Sequence, residues 1–205
     1  MKDEQNYRRD LSEIRTMMER SSKFLSLSGW AGIMAGLYAL AGAAIANNLL
    51  RFNPDELYYR YGAGNLSNVI LLALAILVLA IGSAILLSGR KAKNRGESLW
   101  NAVSKRLLLN MSVPLVAGGL LMLIIMQEGL IGLLAPLSLV FYGLALVNAG
   151  NYTISELRYL GCLQILLGLA AAVFVNYGLV LWTLGFGLLH ICYGTYMWLR
   201  YDRKQ

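Results

Sequence analysis

Six runs of apolar residues, each nearly free of charge at its centre, leave this chain one solvent in which to fold. They cover about 27–47, 66–88, 107–126, 130–149, 159–176 and 178–200. Roughly 20 mostly apolar residues carry a helix across a hydrocarbon core. No water is present there to satisfy open backbone groups, so the runs must be helices rather than sheet edges. Only 14% of the 205 residues are charged, against about a quarter in an ordinary soluble domain. The fold class is therefore all-α, a polytopic bundle over 27–200 with a cytoplasmic segment over 1–26 and a basic tail over 201–205.

The segments between the runs alternate in charge. Sixteen of the 18 Lys and Arg residues fall on one side: six within residues 1–26, then Arg90, Lys91, Lys93, Arg95, Lys105 and Arg106, then Arg158, Arg200, Arg203 and Lys204. The other side holds Arg51 and Arg60. The positive-inside bias makes both termini cytoplasmic, in agreement with an even number of spans. The expected location is a bacterial inner membrane. The net charge of +7 is gathered at the ends of apolar runs, which suits anionic headgroups and provides no nucleic-acid module. Arg90, Lys91, Lys93, Arg95, Lys105 and Arg106 are the expected anionic-lipid contacts.

About two dozen polar and mixed residues precede the first run, so the sequence predicts no cleaved leader. Among them Tyr7, Leu11, Ile14, Met18 and Leu25 recur at helical spacing between charges, predicting an amphipathic helix. Such a helix lies on the inner membrane surface or docks a cytoplasmic protein or a second subunit. The outer segment 48–65 holds Asn53-Pro54 as a helix start, with Tyr58, Tyr59 and Tyr61 suited to headgroup depth.

Aligned on Gly36, Gly119 and Gly168, the odd runs resemble one another, and Lys23, Arg106 and Ser155 stand thirteen residues before those glycines. The even runs align on Gly82, Gly143 and Gly194. The pattern predicts three tandem out-and-back hairpins. Helices in lipid associate through close packing of small residues, so Gly32, Gly36, Gly82, Gly119, Gly143, Gly168, Gly187 and Gly194 are the expected packing positions, foremost the 29/32/36 stripe. The hairpin plan over residues 24–200 resembles that of the HdeD-like acid-resistance membrane proteins. The stretches Met17-Met18-Glu19-Arg20-Ser21-Ser22-Lys23-Phe24-Leu25-Ser26-Leu27-Ser28-Gly29 and Gly185-Phe186-Gly187-Leu188-Leu189-His190 resemble a group of Bacteroidetes membrane proteins. The resemblance implies six spans and a stress-related role, and it supplies no catalytic residue.

Polar groups inside spans are costly and mark candidate sites. His190, the only histidine, Gln164, Asn110, Tyr142 and Tyr193 form the expected intramembrane polar set. Thr183, Gly187, His190, Gly194 and Trp198 share one helical face. His190 is read either as a core histidine held by one interhelical hydrogen bond or as a proton-sensing group. Pro114 and Pro136 stand in the third and fourth runs as candidate kinks. The runs contain no carboxylate, and Cys162 and Cys192 form no CxxC, so the chain reads as a non-enzyme without metal or cofactor. Two functions remain. One is a stress-related or regulatory scaffold working through its cytoplasmic face. The other is a small transporter or channel with a polar path near Asn110, Gln164 and His190. The partners the sequence allows are the bilayer, a second copy of the chain, and a cytoplasmic protein bound through residues 1–26.

The topology has a direct check. A single cysteine at Ser98 should react with an impermeant maleimide only after the inner face is opened, and one at Glu128 should react in intact cells. The reverse pattern would sink the orientation.

Overall fold

Where each apolar run ends, capping and charge decide how far the helix continues. The computed structural model describes residue 24 and residues 26–52 and 66–203, so most of the expected amphipathic segment, the 53–65 stretch and Lys204 lie outside the described residues. Among the described residues six helices are long and apolar enough to cross a membrane: α1 Gly29–Leu49, α2 Leu66–Asn94, α3 Ala102–Gln127, α4 Ile131–Ala149, α5 Glu156–Val173 and α6 Val175–Asp202. Among the described residues there is no strand. This is a membrane protein with transmembrane helices.

The helices run beyond the apolar runs for local reasons. α2 continues to Asn94 because Lys91 and Lys93 in its last turn complement the negative C-terminal end of the helix dipole. α3 begins five residues early at a capping box. The Asn101 side chain accepts from the amides of Val103 and Ser104, and the Ser104 hydroxyl accepts from the Asn101 amide. Of the two prolines, Pro114 is buried inside α3. Pro136 falls in the first turn of the regular part of α4, where a missing N–H leaves no intrahelical bond unmade. α6 is wound as π-helix over Thr183–Leu189 and Trp198–Asp202.

α1 packs between α2 and α6, α4 packs between α3 and α5, and α6 also touches α4 and α5. The most extensive packing, α4 on α5 and α1 on α6, joins helices that the tandem-hairpin scheme assigns to different units. Both contacts are backbone crossings. On α1, a methyl added at Gly36 would stand 2.6 Å from the Gly187 carbonyl, and one added at Gly29 would stand 2.5 Å from the Trp198 amide. From α6, one added at Gly194 would stand 2.6 Å from the Gly29 carbonyl. In the second crossing Gly143 and Gly161 face one another, a methyl added at either standing 2.7 Å from the other's carbonyl, and one added at Gly168 would stand 2.9 Å from the Pro136 carbonyl. A methyl added at Gly32 would stand 3.1 Å from the Gly194 Cα, and one added at Gly187 would meet the Leu40 side chain.

Gly82 and Gly119 differ from the expectation for them: among the described residues nothing stands within 4 Å of an added methyl at either. Their helices, α2 and α3, lie at the two edges of the arrangement, each packed extensively on a single neighbour. None of the most apolar stretch of α2 is buried.

These crossings leave no room for a side chain. Gly36→Ala and Gly143→Ala should each lower stability by about 1–3 kcal/mol through overpacking, read as thermal unfolding in detergent. Gly82→Ala should leave the midpoint unchanged or raised, because glycine is the weaker helix former.

Candidate functional site

Three helices bring polar side chains together around His190. α6 contributes His190, α4 Tyr142 and α5 Gln164. The Gly185 carbonyl, five residues before His190 in the π-wound segment, accepts from Gln164 Nε2 at 2.8 Å and faces His190 Nδ1 at 3.0 Å. A carbonyl can only accept, so Nδ1 carries the ring proton. Nε2 is then the free acceptor and receives the Tyr142 hydroxyl at 2.9 Å. Gln164 Nε2 and His190 Nδ1, 3.4 Å apart, are two donors sharing one acceptor rather than partners. Turning the Gln164 amide over would set two carbonyl oxygens 2.8 Å apart, which fixes its orientation.

Burial makes these bonds matter. Gln164 is completely buried and His190 only 5% exposed. An aromatic column stacks beside them. Phe186 and Trp182 lie one and two turns before His190 on α6, with the Phe186 ring 5.8 Å from the imidazole and 5.0 Å from Tyr142. Sequence reasoning missed Trp182 and Phe186, although their spacing of four residues was visible. The π winding is also why the expected α6 face splits. Gly187, Gly194 and Trp198 meet α1, while the His190 side chain bonds to α4 and to its own helix. Thr183 turns its hydroxyl back to the Leu179 carbonyl at 2.7 Å.

The expected polar set does not come together entire. Asn110 bonds back to its own helix at the Arg106 carbonyl, 2.8 Å away, and takes no part in the cluster. The Tyr193 hydroxyl and Gln164 Oε1 are buried without a hydrogen-bond partner among the described residues. No group of three or more His, Cys, Asp or Glu able to hold a metal ion occurs among the described residues. Among the described residues no carboxylate hydrogen-bonds to His190, Tyr142 or Gln164. What the arrangement does chemically is hold a neutral imidazole in one tautomer.

A second constellation lies at the end of the bundle that carries the basic loops. Lys91 of α2 and Asp202 of α6 meet at 2.6 Å with side chains only 11% and 13% exposed. Lys91 Nζ also donates to the Leu27 carbonyl at 2.7 Å, and the Gly29 amide donates to Asp202 at 2.9 Å. Ser28, at the N-cap of α1, makes no side-chain cap, so Asp202 supplies the acceptor from another helix. Ser26 donates to Glu97 of the α2–α3 loop. Phe24 is buried among Leu107, Leu146, Ala149, Leu157 and Leu160, with its amide on the Tyr152 carbonyl at 2.7 Å and its carbonyl accepting from Thr153. Phe24 and residues 26–29 thus touch all six helices or the loops joining them.

Lys91 therefore departs from the expected role of a lipid contact. Its ammonium is turned inward because two oxygens, the Leu27 carbonyl and one Asp202 carboxylate oxygen, come within reach of the last turn of α2 at this crossing. Arg90, Lys93, Lys105 and Arg106 are exposed, and Arg95 is half-buried. Beside the clamp, Glu156 accepts from Tyr201 at 2.7 Å and pairs with Arg200 at 3.1 Å. Glu156 and Arg200 edge an open groove of about 520 Å³ between α5 and α6, which Tyr159, Tyr193 and Tyr196 also line.

A scan of family models, a search of curated proteins and a search of solved structures each return no match to this chain.

Because the chain has one histidine, its imidazole nitrogens can be read without ambiguity. In ¹⁵N-histidine-labelled protein the neutral ring should show a protonated Nδ1 and an unprotonated Nε2. Tyr142→Phe should shift Nε2 and lower stability by about 1 kcal/mol for the lost bond. An Nε2–H tautomer would overturn the assignment.

Proposed function

We propose that this protein is a non-enzymatic scaffold of a bacterial inner membrane, stress-related or regulatory, working through its basic, cytoplasmic end. The observation that carries this reading is the clamp on Phe24 and residues 26–29. It joins the start of α1 to the ends of α2 and α6 through Lys91 and Asp202 and to the α4–α5 loop through Phe24. A partner bound by the segment before residue 24 would be coupled rigidly to the bundle, and a change in the bundle would be felt at that segment. Both termini are cytoplasmic in this reading, and the exposed Arg90, Lys93, Lys105 and Arg106 rest against anionic headgroups.

Transport is the second reading. It draws support from Gln164 Oε1, a buried acceptor with no donor among the described residues. Against it, Asn110 is bonded to its own helix, and the α5–α6 groove is lined by neither His190 nor Gln164.

Deletion of residues 1–22 should abolish both complementation of a knockout and co-purification of a cytoplasmic partner, with the protein still in the membrane. Asp202→Asn should lower stability by about 3 kcal/mol, because it leaves the Lys91 charge buried without its counterion, and should weaken the same readouts. His190→Leu should leave them intact. Full function of the deletion together with loss of function in His190→Leu would replace this reading with transport.

A further inference from the structure

We propose that the groove between α5 and α6 holds one phospholipid with a primary-ammonium headgroup, its phosphate on Arg200, its ammonium on Glu156 and an acyl chain against Leu160, Leu163 and Leu189. This does not depend on whether the protein is a scaffold or a transporter.

The groove has two chemically different ends. At its mouth, beside the start of α5 and the end of α6, Glu156 and Arg200 stand 3.1 Å apart with side chains 18% and 54% exposed. Farther in, Leu160, Leu163 and Leu189 form the walls. At about 1.5 Å per residue, Leu163 lies about 10 Å along α5 from Glu156. Leu163, Cys192 and Tyr196 are exposed on membrane-spanning helices, so the groove opens sideways to lipid. Its volume of about 520 Å³ is that of a ligand pocket, for which about 300–1,000 Å³ is usual. A molecule that satisfies both ends is charged at one end and apolar for at least about 10 Å beyond it. That is an acyl lipid rather than a soluble ion.

The bonding capacity left on the ion pair selects the headgroup. A guanidinium has five N–H donors. Among the described residues only Nη1 of Arg200 is engaged, by Glu156 and the Tyr196 hydroxyl. The rings of Tyr196 and Tyr201, 5.6 and 5.4 Å from the guanidinium carbon, flank it. Nε and Nη2 are left as a fork for two phosphate oxygens, the geometry in which arginine binds phosphate. On Glu156, Oε1 accepts from Tyr201 and meets Arg200, whereas Oε2 takes only the Ser155 hydroxyl at 3.3 Å among the described residues. That oxygen can accept again, and an ammonium has three donors. Free donors beside a free acceptor, with no net charge between them, match a phosphate followed by a primary ammonium, as in phosphatidylethanolamine. A choline headgroup has the same charges but no N–H to donate to Glu156. A glycerol headgroup brings a second negative group's worth of charge uncompensated and no cation for the carboxylate.

The test uses the full chain, purified in detergent and mixed with equal amounts of phosphatidylethanolamine, phosphatidylcholine and phosphatidylglycerol of identical acyl chains. Bound lipid is counted by native mass spectrometry. The expected result is one phosphatidylethanolamine retained per chain, preferred on the order of tenfold over the other two. Glu156→Gln, whose amide oxygen can still accept from Tyr201, should lower its retention to that of phosphatidylcholine. Leu163→Trp narrows the apolar part of the groove away from the ion pair and should lower it several-fold, which keeps the test decisive if Glu156→Gln does not fold. Equal retention of all three lipids by the unaltered chain, the mark of lipid that merely surrounds the bundle, overturns the proposal. So does a preference that survives in both variants. Displacement of the lipid by phosphoethanolamine alone, at equal concentration, also overturns it, because the site would then recognise a soluble headgroup and not a lipid.

Discussion

The contact between Lys91 and Asp202 holds the basic end of this bundle together. One carboxylate serves two purposes: one oxygen binds the ammonium and the other accepts the first amide of α1. The ammonium in turn binds the Leu27 carbonyl and lies in the last turn of α2, where a cation complements the helix dipole. Charges this poorly hydrated are costly unless each remaining polar site is also satisfied. Here the neighbouring backbone supplies those sites, so α1, α2 and α6 are joined at one point. Phe24, a few residues earlier, extends the same tie to α3, α4 and α5 through an apolar pocket.

Within the hydrocarbon the organising principle changes from charge to distance. Apolar area drives no association there, since lipid tails are as apolar as leucine. The two strongest contacts are accordingly those in which glycines let backbones touch, α1 with α6 and α4 with α5. The polar cluster is buried between the same helices. His190, Tyr142, Gln164 and the Gly185 carbonyl form bonds that could be made in only one arrangement of α4, α5 and α6. Such bonds add specificity to a contact whose affinity comes from packing. The aromatic column of Trp182, Phe186 and His190 keeps the ring plane fixed beside Tyr142.

Much of this was legible beforehand, and the misses share a cause. Spans were recoverable to within a few residues because apolarity and length are local properties. Gly36 and Gly194 were visible as small residues, but nothing in the sequence distinguished them from Gly82 and Gly119, which face open space in the single chain. Asp202 and Glu97 were passed over because a lone acid among basic residues gives no local signal of a distant partner. Their partners, Gly29, Lys91 and Ser26, lie 71 to 173 residues away in the chain. Asn110 and His190 looked alike as polar groups in apolar runs. One bonds to its own helix and the other to two helices, a difference made by which way each face turns.

By itself the sequence determined the solvent, the number of crossings and the asymmetry of charge, because each of these depends only on the composition of contiguous stretches. The tertiary structure alone decided which glycines became contacts, which lysine was drawn inward, and which nitrogen of the single histidine carries its proton. Those outcomes depend on distances between residues far apart in the chain, and such distances exist only once α1 lies against α6 and α4 against α5.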